Sequence, residues 1–349
     1  MVHPTLLLTF SRMNLHATVA DPLTDPPPPG WDAFVERERL PPMWRYRLLY
    51  EVDWCAQVAS SMVAVGTDDG TRPVALFHVR HVGPDRPGRF ARPGRVPPAG
   101  MAHCHLDSAL SPGFAFRADL GTRDRAEACR VFERTLRRER GRGWLAFGYR
   151  HLAERDATVV AGRTRVRLAT SPLMVLTNEW SDLAGYLATL PRKWRARLRG
   201  LRRDHDADAD LRVAVGATID PDEACWLAEV VRRRHRSYGP ARPPRSPRYF
   251  RVLSALPEMR FLTYRDAGGR LVAFVGFHDD GRDLLPMWWG ARGSRDGGRE
   301  NLYFDQYLRL VEIMIESGRQ RLVLGPGMAH IKARYGARPE ARWAVVGPW

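Results

Sequence analysis

Three apolar strands and the turns between them decide the fold, and they occupy residues 259–289 as MRFLTYRDAGGRLVAFVGFHDDGRDLLPMWW. Residues 259–265 and 270–278 are rich in aliphatic and aromatic side chains and meet at a Gly-Gly turn, which predicts two strands. An Asp-Asp-Gly turn then leads into a third strand at 283–289.

A helix and a further strand follow this segment. Asn301 is predicted to cap the helix and Gly318 to end it. Residues 321–324 (RLVL) form the next strand. The apolar stripe of the helix has helical spacing and consists of Tyr303, Tyr307, Leu310, Val311 and Met314.

The first half of the chain repeats this order of strand, strand, helix and strand. The corresponding segments are strands at 58–65 and 72–82 around Asp68-Asp69-Gly70, a surface loop at 83–100, a helix at 124–140 ended by Gly141, and a strand at 143–149. Duplication of one unit explains the repeat. We therefore predict an α/β fold of two tandem modules with mixed sheets flanked by helices. We expect a flexible lead-in at 1–30, an N-terminal domain at 31–170, and a C-terminal domain at 171–349 that carries the reactive site.

The composition is that of a globular protein without a membrane span. The chain has 349 residues, enough for two domains, and a hydrophobic fraction of 44%. No apolar stretch approaches the ~20 residues of a spanning helix, and the N-terminus lacks the basic region and cleavage site of a signal peptide. Four cysteines are scattered without CxxC spacing, so we expect buried thiols. We expect a cytoplasmic monomer.

The charge is the unusual feature. The formal net charge is +16 and the pI is about 10.5, which favours a polyanionic partner such as nucleic acid, or a phosphorylated cosubstrate. Only two lysines occur, Lys193 and Lys332. A GC-rich genome explains arginine in place of lysine, but it does not explain the excess of base over acid.

A strongly basic helix is predicted at residues 191–203, PRKWRARLRGLRR. Trp194, Leu198 and Leu201 have the i, i+4, i+7 spacing of an apolar seam. Basic side chains cover most of the remaining surface with no acid before Asp204, whereas a solvated helix usually mixes both signs. We interpret the helix as a polyanion-binding surface, and a basic surface helix of an arginine-rich protein is the alternative.

These residues carry a resemblance to a known family. The helix beginning Leu190-Pro191-Arg192-Lys193-Trp194-Arg195, followed by LRV at 211–213 and an amphipathic helix that ends near Tyr238-Gly239, resembles the Fem-type branch of the GNAT acyltransferase superfamily. Ile331-Lys332-Ala333-Arg334-Tyr335-Gly336 is similar to the Phe-Lys-x-Gly-Phe-Gly stretch of Fem-type aminoacyl-tRNA-dependent transferases. The resemblance extends from about Leu168 to the end, and the N-terminal half matches in layout.

The resemblance implies two GNAT-like domains and transfer of an acyl group to an amine, either from a charged tRNA or from coenzyme A. It places Lys332 where the family's lysine stabilises the transferring carbonyl, as a cation beside a developing oxyanion does. Ile331 and Arg334 depart from the family's aromatic residue and glycine, and these departures bear on the contact with the terminal adenosine of a tRNA.

The loop before Asn301 bears on the choice of donor. Family members that bind coenzyme A carry a Gln/Arg-x-x-Gly-x-Gly/Ala loop whose N–H groups hold the pyrophosphate. Residues 290–298 are glycine-rich, but Arg295 replaces the first motif glycine and Asp296 places an anion beside the phosphates. Together with the basic helix, this favours an aminoacyl-tRNA as cosubstrate and no other cofactor. A coenzyme A-dependent N-acyltransferase and a non-catalytic RNA-binding protein on the same scaffold are the alternatives.

The remaining candidates complete the expected site. Asp305 or Tyr303 would assist proton removal from the attacking amine, which belongs to a peptidoglycan precursor or a small peptide or antibiotic intermediate. His103-Cys104-His105 with Asp107 could suggest a metal site, but alternate residues lie on one strand face and the sequence offers no second ligand pair nearby, so we expect a structural role and no metal site. The tRNA acceptor arm is expected to contact Arg192, Lys193, Arg195, Arg197, Arg199, Arg202 and Arg203. The substrate groove is expected to include Trp288, Trp289, Arg292, Arg295, Arg334 and Tyr335.

Overall fold

Helices pack on both faces of one continuous mixed sheet in the computed structural model of this chain. The structure describes residues 14–55, 59–67, 72–82, 100–106, 111–140, 143–235 and 244–349. Several predicted features lie outside the described residues, namely the turn at Asp68-Asp69-Gly70, the loop at 83–99, Asp107, Gly141 and the Tyr238-Gly239 pair.

The elements follow one another in two comparable series. The first series is β1 (Leu15–Ala20), α1 (Trp31–Arg37), α2 (Tyr46–Cys55), β2 (Ser60–Thr67), β3 (Pro73–Val82), β4 (Gly100–Cys104), β5 (Phe114–Phe116), α3 (Thr122–Arg140), β6 (Trp144–Leu152), α4 (Glu154–Val159) and β7 (Val166–Thr177). The second is α5 (Leu183–Thr189), α6 (Arg192–Ala207), β8 (Leu211–Gly216), α7 (Pro221–His235), α8 (Pro247–Ser254), β9 (Met259–Asp266), β10 (Leu271–Asp279), β11 (Asp283–Ala291), α9 (Leu302–Glu316), β12 (Arg321–Gly325), α10 (Ala329–Arg334) and β13 (Arg338–Pro348).

The sheet has a symmetric strand order. Neighbouring strands run β1-β2-β3-β4-β6-β13-β7-β12-β11-β10-β9-β8, and β5 pairs with β3 at the side. In each half a helix connects two parallel strands, α3 between β4 and β6 and α9 between β11 and β12, whereas the other pairings are antiparallel. The two halves are therefore copies of one unit placed side by side, and the predicted α/β fold with a mixed sheet is confirmed.

The last strand of each half is exchanged with the other half. β7 follows the N-terminal unit in sequence but pairs with β12, while β13, at the C-terminus, pairs with β6. β7 and β13 also pair with each other, from Arg338↔Val175 to Val346↔Val166. Residue 170, the expected domain boundary, lies within β7. The exchange makes the two hydrophobic cores depend on each other's chain segments.

The predicted strands and helices are present with small shifts of their ends. Gly318 ends α9 with a φ of 65°, and the next residue, Arg319, donates its N–H to the carbonyl of Met314. Asn301 precedes α9 but makes no side-chain capping bond, because its own backbone is left-handed. Residues 15–20, assigned to a flexible lead-in, form β1 and pair with β2.

None of the helices in the described parts of the chain is long and apolar enough to cross a bilayer. The four cysteines are free thiols, with Cys104 and Cys129 buried in the N-terminal core. Burial raises the pKa of both buried thiols, which is typical of structural rather than reactive cysteines.

We expect one unfolding transition, because the exchanged strands join the two cores. Leu176 of β7 is buried in the C-terminal core and Val345 of β13 in the N-terminal core. Leu176→Ala should lower the free energy of unfolding by about 2–5 kcal/mol, and Val345→Ala, which removes a smaller group, by about 2 kcal/mol. Each variant should shift the whole transition in urea denaturation followed by circular dichroism and tryptophan fluorescence.

Val166→Ala is the matched control, since Val166 lies on β7 but its side chain is exposed. This variant should leave the urea midpoint unchanged. Two separate transitions, of which Val345→Ala moves only one, would contradict the structural role given to the exchange.

Candidate active site

A cleft opens where the parallel strands β11 and β12 part. The two strands pair only at Asp283↔Arg321 and Leu284↔Leu322. Along its other edge, β12 pairs with β7 from Arg321 to Gly325. On its other edge β11 carries a bulge at Met287, which has no partner on β10. We call the space between the two separated strands the cleft and take it as the candidate site.

Lys332 lies at the end of this opening. Its side chain is 4% exposed, and its Nζ donates hydrogen bonds to the carbonyl oxygens of Leu324 and Gly325 at the end of β12. Gly325 has a φ of 77°, which a residue with a side chain rarely adopts, and the chain turns there from β12 towards α10. A buried ammonium held in this way can stabilise negative charge on a carbonyl oxygen more strongly than it could in water.

The basic helix α6 packs beside the lysine segment through Trp194. The indole of Trp194 contacts the rings of Phe304 and Tyr335 edge-on, at centroid distances of 6.0 and 5.6 Å. Tyr335, expected to contact substrate, is fully buried and donates its hydroxyl to the carbonyl of Phe304 at 2.7 Å. Tyr335 therefore ties α10 to α9 and is not accessible to a substrate in this arrangement.

The two tryptophans at the end of β11 face opposite sides of the sheet. Trp289 packs on Tyr303 of α9 at 5.8 Å, on the same side as α6. Trp288 packs on the other side, where its Nε1 donates to the Tyr249 hydroxyl at 3.1 Å. Tyr303 shares a hydrogen bond with Tyr307, and burial raises the pKa of Tyr303. Tyr303 thus stays protonated near neutral pH and can donate a hydrogen bond but is a poor acceptor of the amine proton.

Asp305 has a different role from the expected one. Its carboxylate is buried and accepts hydrogen bonds from the Tyr264 hydroxyl at 2.8 Å and Arg309 Nε at 2.6 Å. Burial alone would raise the pKa of Asp305, but His205, Arg309 and Tyr264 together lower it. Arg309 also binds Asp206 of α6 at 2.6 Å. The carboxylate is therefore held by partners that join α9 to β9 and α6, which excludes it from proton removal at the cleft.

The partners of Asp305 leave no recognisable pattern in the amino-acid sequence. Tyr264 and His205 are far from Asp305 in sequence, and no motif links the three residues. The only available signal was the i, i+4 spacing of Asp305 and Arg309, which is common on helix surfaces.

The loop between β11 and α9 is folded on itself. The N–H groups of Asp296 and Gly298 both donate to the carbonyl of Gly293, at 2.9 and 2.8 Å. Arg292 donates to the carbonyl of Leu271 at 2.8 Å, and Arg295 is exposed. Two amides of this loop are thus already bonded within the loop.

The predicted tRNA-binding residues of α6 differ in their surroundings. Arg202 is committed to Asp206 and Glu312, both at 2.8 Å, and Arg195 donates to the carbonyl of Ala188 at 3.0 Å. Arg202 is therefore a structural residue that joins α6 to α9, contrary to the prediction. The side chains that are exposed and have no ion-pair partner in the described part of the chain are Arg192, Lys193, Arg197, Arg199 and Arg203.

The N-terminal half holds a polar group that the sequence did not reveal. Asp53 of α2 is buried, accepts a hydrogen bond from the Ser60 hydroxyl at 2.5 Å, and lies 3.3 Å from Nε2 of His78. Burial alone would raise the pKa of Asp53, but the contact with His78 lowers it overall. Within the described residues no group of three or more His, Cys, Asp or Glu side chains is arranged to hold a metal ion.

Comparisons with known proteins agree with this geometry. Residues 192–333 match the model of the acetyltransferase (GNAT) domain, and this segment contains α6, both sides of the cleft and Lys332. No curated protein matches the sequence significantly.

Two solved structures share the fold over almost the whole chain. L-PGS from Bacillus licheniformis is 12% identical, with a TM-score of 0.60 over 92% of each chain. FemX is 10% identical, with a TM-score of 0.54 over 90% of this chain and 94% of its own. At these identities the likeness establishes the fold. The family match therefore places a GNAT-type domain at residues 192–333, and the chain as a whole shares the fold of L-PGS and FemX.

Proposed function

We propose that the protein transfers an aminoacyl group from a charged tRNA to an amine and so forms an amide bond. The observation that carries the proposal is the buried ammonium of Lys332 where β11 and β12 part, beside the basic helix α6. A cation at this place suits an acyl carbonyl, and exposed arginines next to it suit the backbone of a nucleic acid.

The reaction needs no covalent enzyme intermediate. The amine nitrogen attacks the ester carbonyl, and Lys332 stabilises the negative charge that develops on the carbonyl oxygen. The C–N bond forms and the ester C–O bond breaks, and the amine proton passes to the departing ribose oxygen. Asp305 is held by Tyr264 and Arg309, and Tyr303 stays protonated. Both observations support direct transfer of the amine proton to the ribose oxygen, without a side chain that removes it first.

Two observations support tRNA over coenzyme A as the donor. The loop before α9 bonds its amides internally, and Asp296 adds a negative charge where a pyrophosphate would lie. The exposed basic side chains of α6 offer phosphate contacts along one helix. The name of the matching family model favours acetyl-coenzyme A, which is therefore the second candidate donor.

The donor is tested directly by incubating the protein with tRNA charged with labelled amino acids and with a panel of amines. Amine-dependent movement of label from ester to amide supports the proposal. Transfer from acetyl-coenzyme A alone would establish the second candidate. Salt-sensitive RNA binding without turnover of either donor would instead indicate a non-catalytic RNA-binding protein.

Lys332→Met should lower kcat for aminoacyl transfer by about 10²–10³-fold, because the variant keeps an unbranched side chain of similar size but removes the charge beside the carbonyl. The affinity for uncharged tRNA should be unchanged. Single-turnover kinetics and filter binding measure the two quantities.

Lys193→Met is the matched control, since Lys193 is the only other lysine and is exposed on α6. This variant should weaken tRNA binding and leave kcat at saturating tRNA unchanged. If Lys332→Met lowered the melting temperature but kept full kcat, Lys332 would serve only to fix the end of β12.

Arg199→Gln should weaken tRNA binding and reduce the slope of log Kd against log salt concentration by about one, because one phosphate contact is lost. Arg202→Gln, three residues further along the same helix, should leave the slope unchanged, since its partners are Asp206 and Glu312. Fluorescence anisotropy over a series of salt concentrations measures both. Equal slopes for Arg199→Gln and the unaltered protein would remove α6 from the RNA interface.

A further inference from the structure

The indole of Trp194, which lies beside the lysine segment, is held in one orientation by the side chains around it. Its side chain is 8% exposed, and Phe304, Tyr335 and the apolar seam of α6 surround it. Rings packed on several sides keep one orientation, so groups stacked on this indole are also held in place.

Two guanidinium groups from different helices stack on this one indole. The Cζ of Arg197 on α6 lies 5.5 Å from the centroid of the Trp194 ring and 5.3 Å from that of Phe304. The Cζ of Arg334 on α10 also lies 5.5 Å from the Trp194 ring. Contacts with aromatic rings restrict the long side chains while leaving their N–H groups available.

Both arginines are exposed and neither has an ion-pair partner among the residues that the structure describes. Many other arginines of the C-terminal half are engaged, as Arg202, Arg309 and Arg321 show. Two like charges held at one ring repel each other unless an anion lies between or beside them. Their arrangement therefore favours binding of a group with at least one negative charge.

The position of this pair relates it to the acyl donor. Arg334 follows Lys332 by two residues in the short helix α10, and Lys332 is buried at the cleft while Arg334 is exposed. Arg334 also occupies a position where the motif that this segment resembles has a glycine. The pair is thus a feature of this chain, at the entrance to the place where the transferred carbonyl would lie.

We propose that Arg197 and Arg334 form a clamp for a phosphate of the acyl donor, namely a backbone phosphate of the unpaired 3′ end of the tRNA. The proposal rests on the proposed aminoacyl-tRNA donor. Guanidinium groups bind phosphate oxygens through two parallel hydrogen bonds, and Trp194 keeps both groups in the required orientation. The clamp aligns the 3′ end so that its ester reaches Lys332, whereas the outward residues of α6 hold the double-stranded stem.

The test compares two RNA hairpins that reproduce a tRNA acceptor stem, one with its unpaired 3′ end and one without it. Arg197→Gln and Arg334→Gln should each weaken binding of the tailed hairpin about tenfold. For the tailed hairpin, each variant should also reduce the slope of log Kd against log salt concentration by about 0.7, the value for one phosphate of a single strand. Neither variant should change binding of the blunt hairpin. Fluorescence anisotropy measures all four combinations.

Arg203→Gln is the matched control, because Arg203 is exposed on the same helix but does not contact Trp194. This variant should weaken binding of both hairpins equally. If Arg197→Gln and Arg334→Gln weakened binding of both hairpins equally, or changed binding of neither the hairpins nor coenzyme A, the clamp would be overturned. That result would leave the proposed function intact, because turnover of charged tRNA is measured separately.

Coenzyme A is the third probe, since its phosphates could occupy the same clamp. Suppose that calorimetry shows binding of coenzyme A to the unaltered protein, that both variants lose it, and that binding of both hairpins is unaffected. The two arginines would then bind a phosphate, but the phosphate would belong to coenzyme A and not to tRNA. Thermal unfolding of each variant confirms that the comparison is between folded proteins.

Discussion

The pairing of β7 with β13 is the interaction on which the rest of the structure depends. β7 holds one edge of β12 over Arg321–Gly325, while β11 pairs with the other edge over two residues only and the cleft lies beyond them. α10 connects β12 to β13, and the place of β13 beside β7 therefore also determines where α10 presents Lys332. The cleft and its lysine thus follow from strands that lie far apart in sequence, and a change in the register of β7 against β13 would displace both.

The net charge of +16 is informative only once the ion pairs are located. Arg309 and Arg202 bind acidic side chains and fasten α9 to α6, so they contribute to folding rather than to a charged surface. Such pairs add little stability when exposed, but they reduce the charge available to a partner. The outward residues of α6 keep their charge and lie next to the cleft.

The sequence predicted the elements well because each is encoded locally. The hairpins, the apolar stripe of α9 and the seam of α6 are short-range patterns, and all are present. The exchange of β7 and β13 was not predictable, since both strands follow equivalent short helices and either edge satisfies the same backbone hydrogen bonds. The role of Asp305 was not predictable either. A carboxylate in the first turn of a helix is typical of both a surface residue and a base, and only its contacts with Tyr264 and Arg309 decide between them.

The bulge at Met287 determines towards which face of the sheet each tryptophan of β11 points. Successive side chains of a strand point to opposite faces, and an extra residue reverses that alternation for everything beyond it. With the bulge, Trp289 faces Tyr303 on the side of α6, and Trp288 faces Tyr249 on the other side, towards the N-terminal half. Arg245 stacks on Trp288 and continues the contact with that half. One irregular residue in β11 thus determines which indole packs on each face of the sheet, Trp289 against α9 and Trp288 against α8.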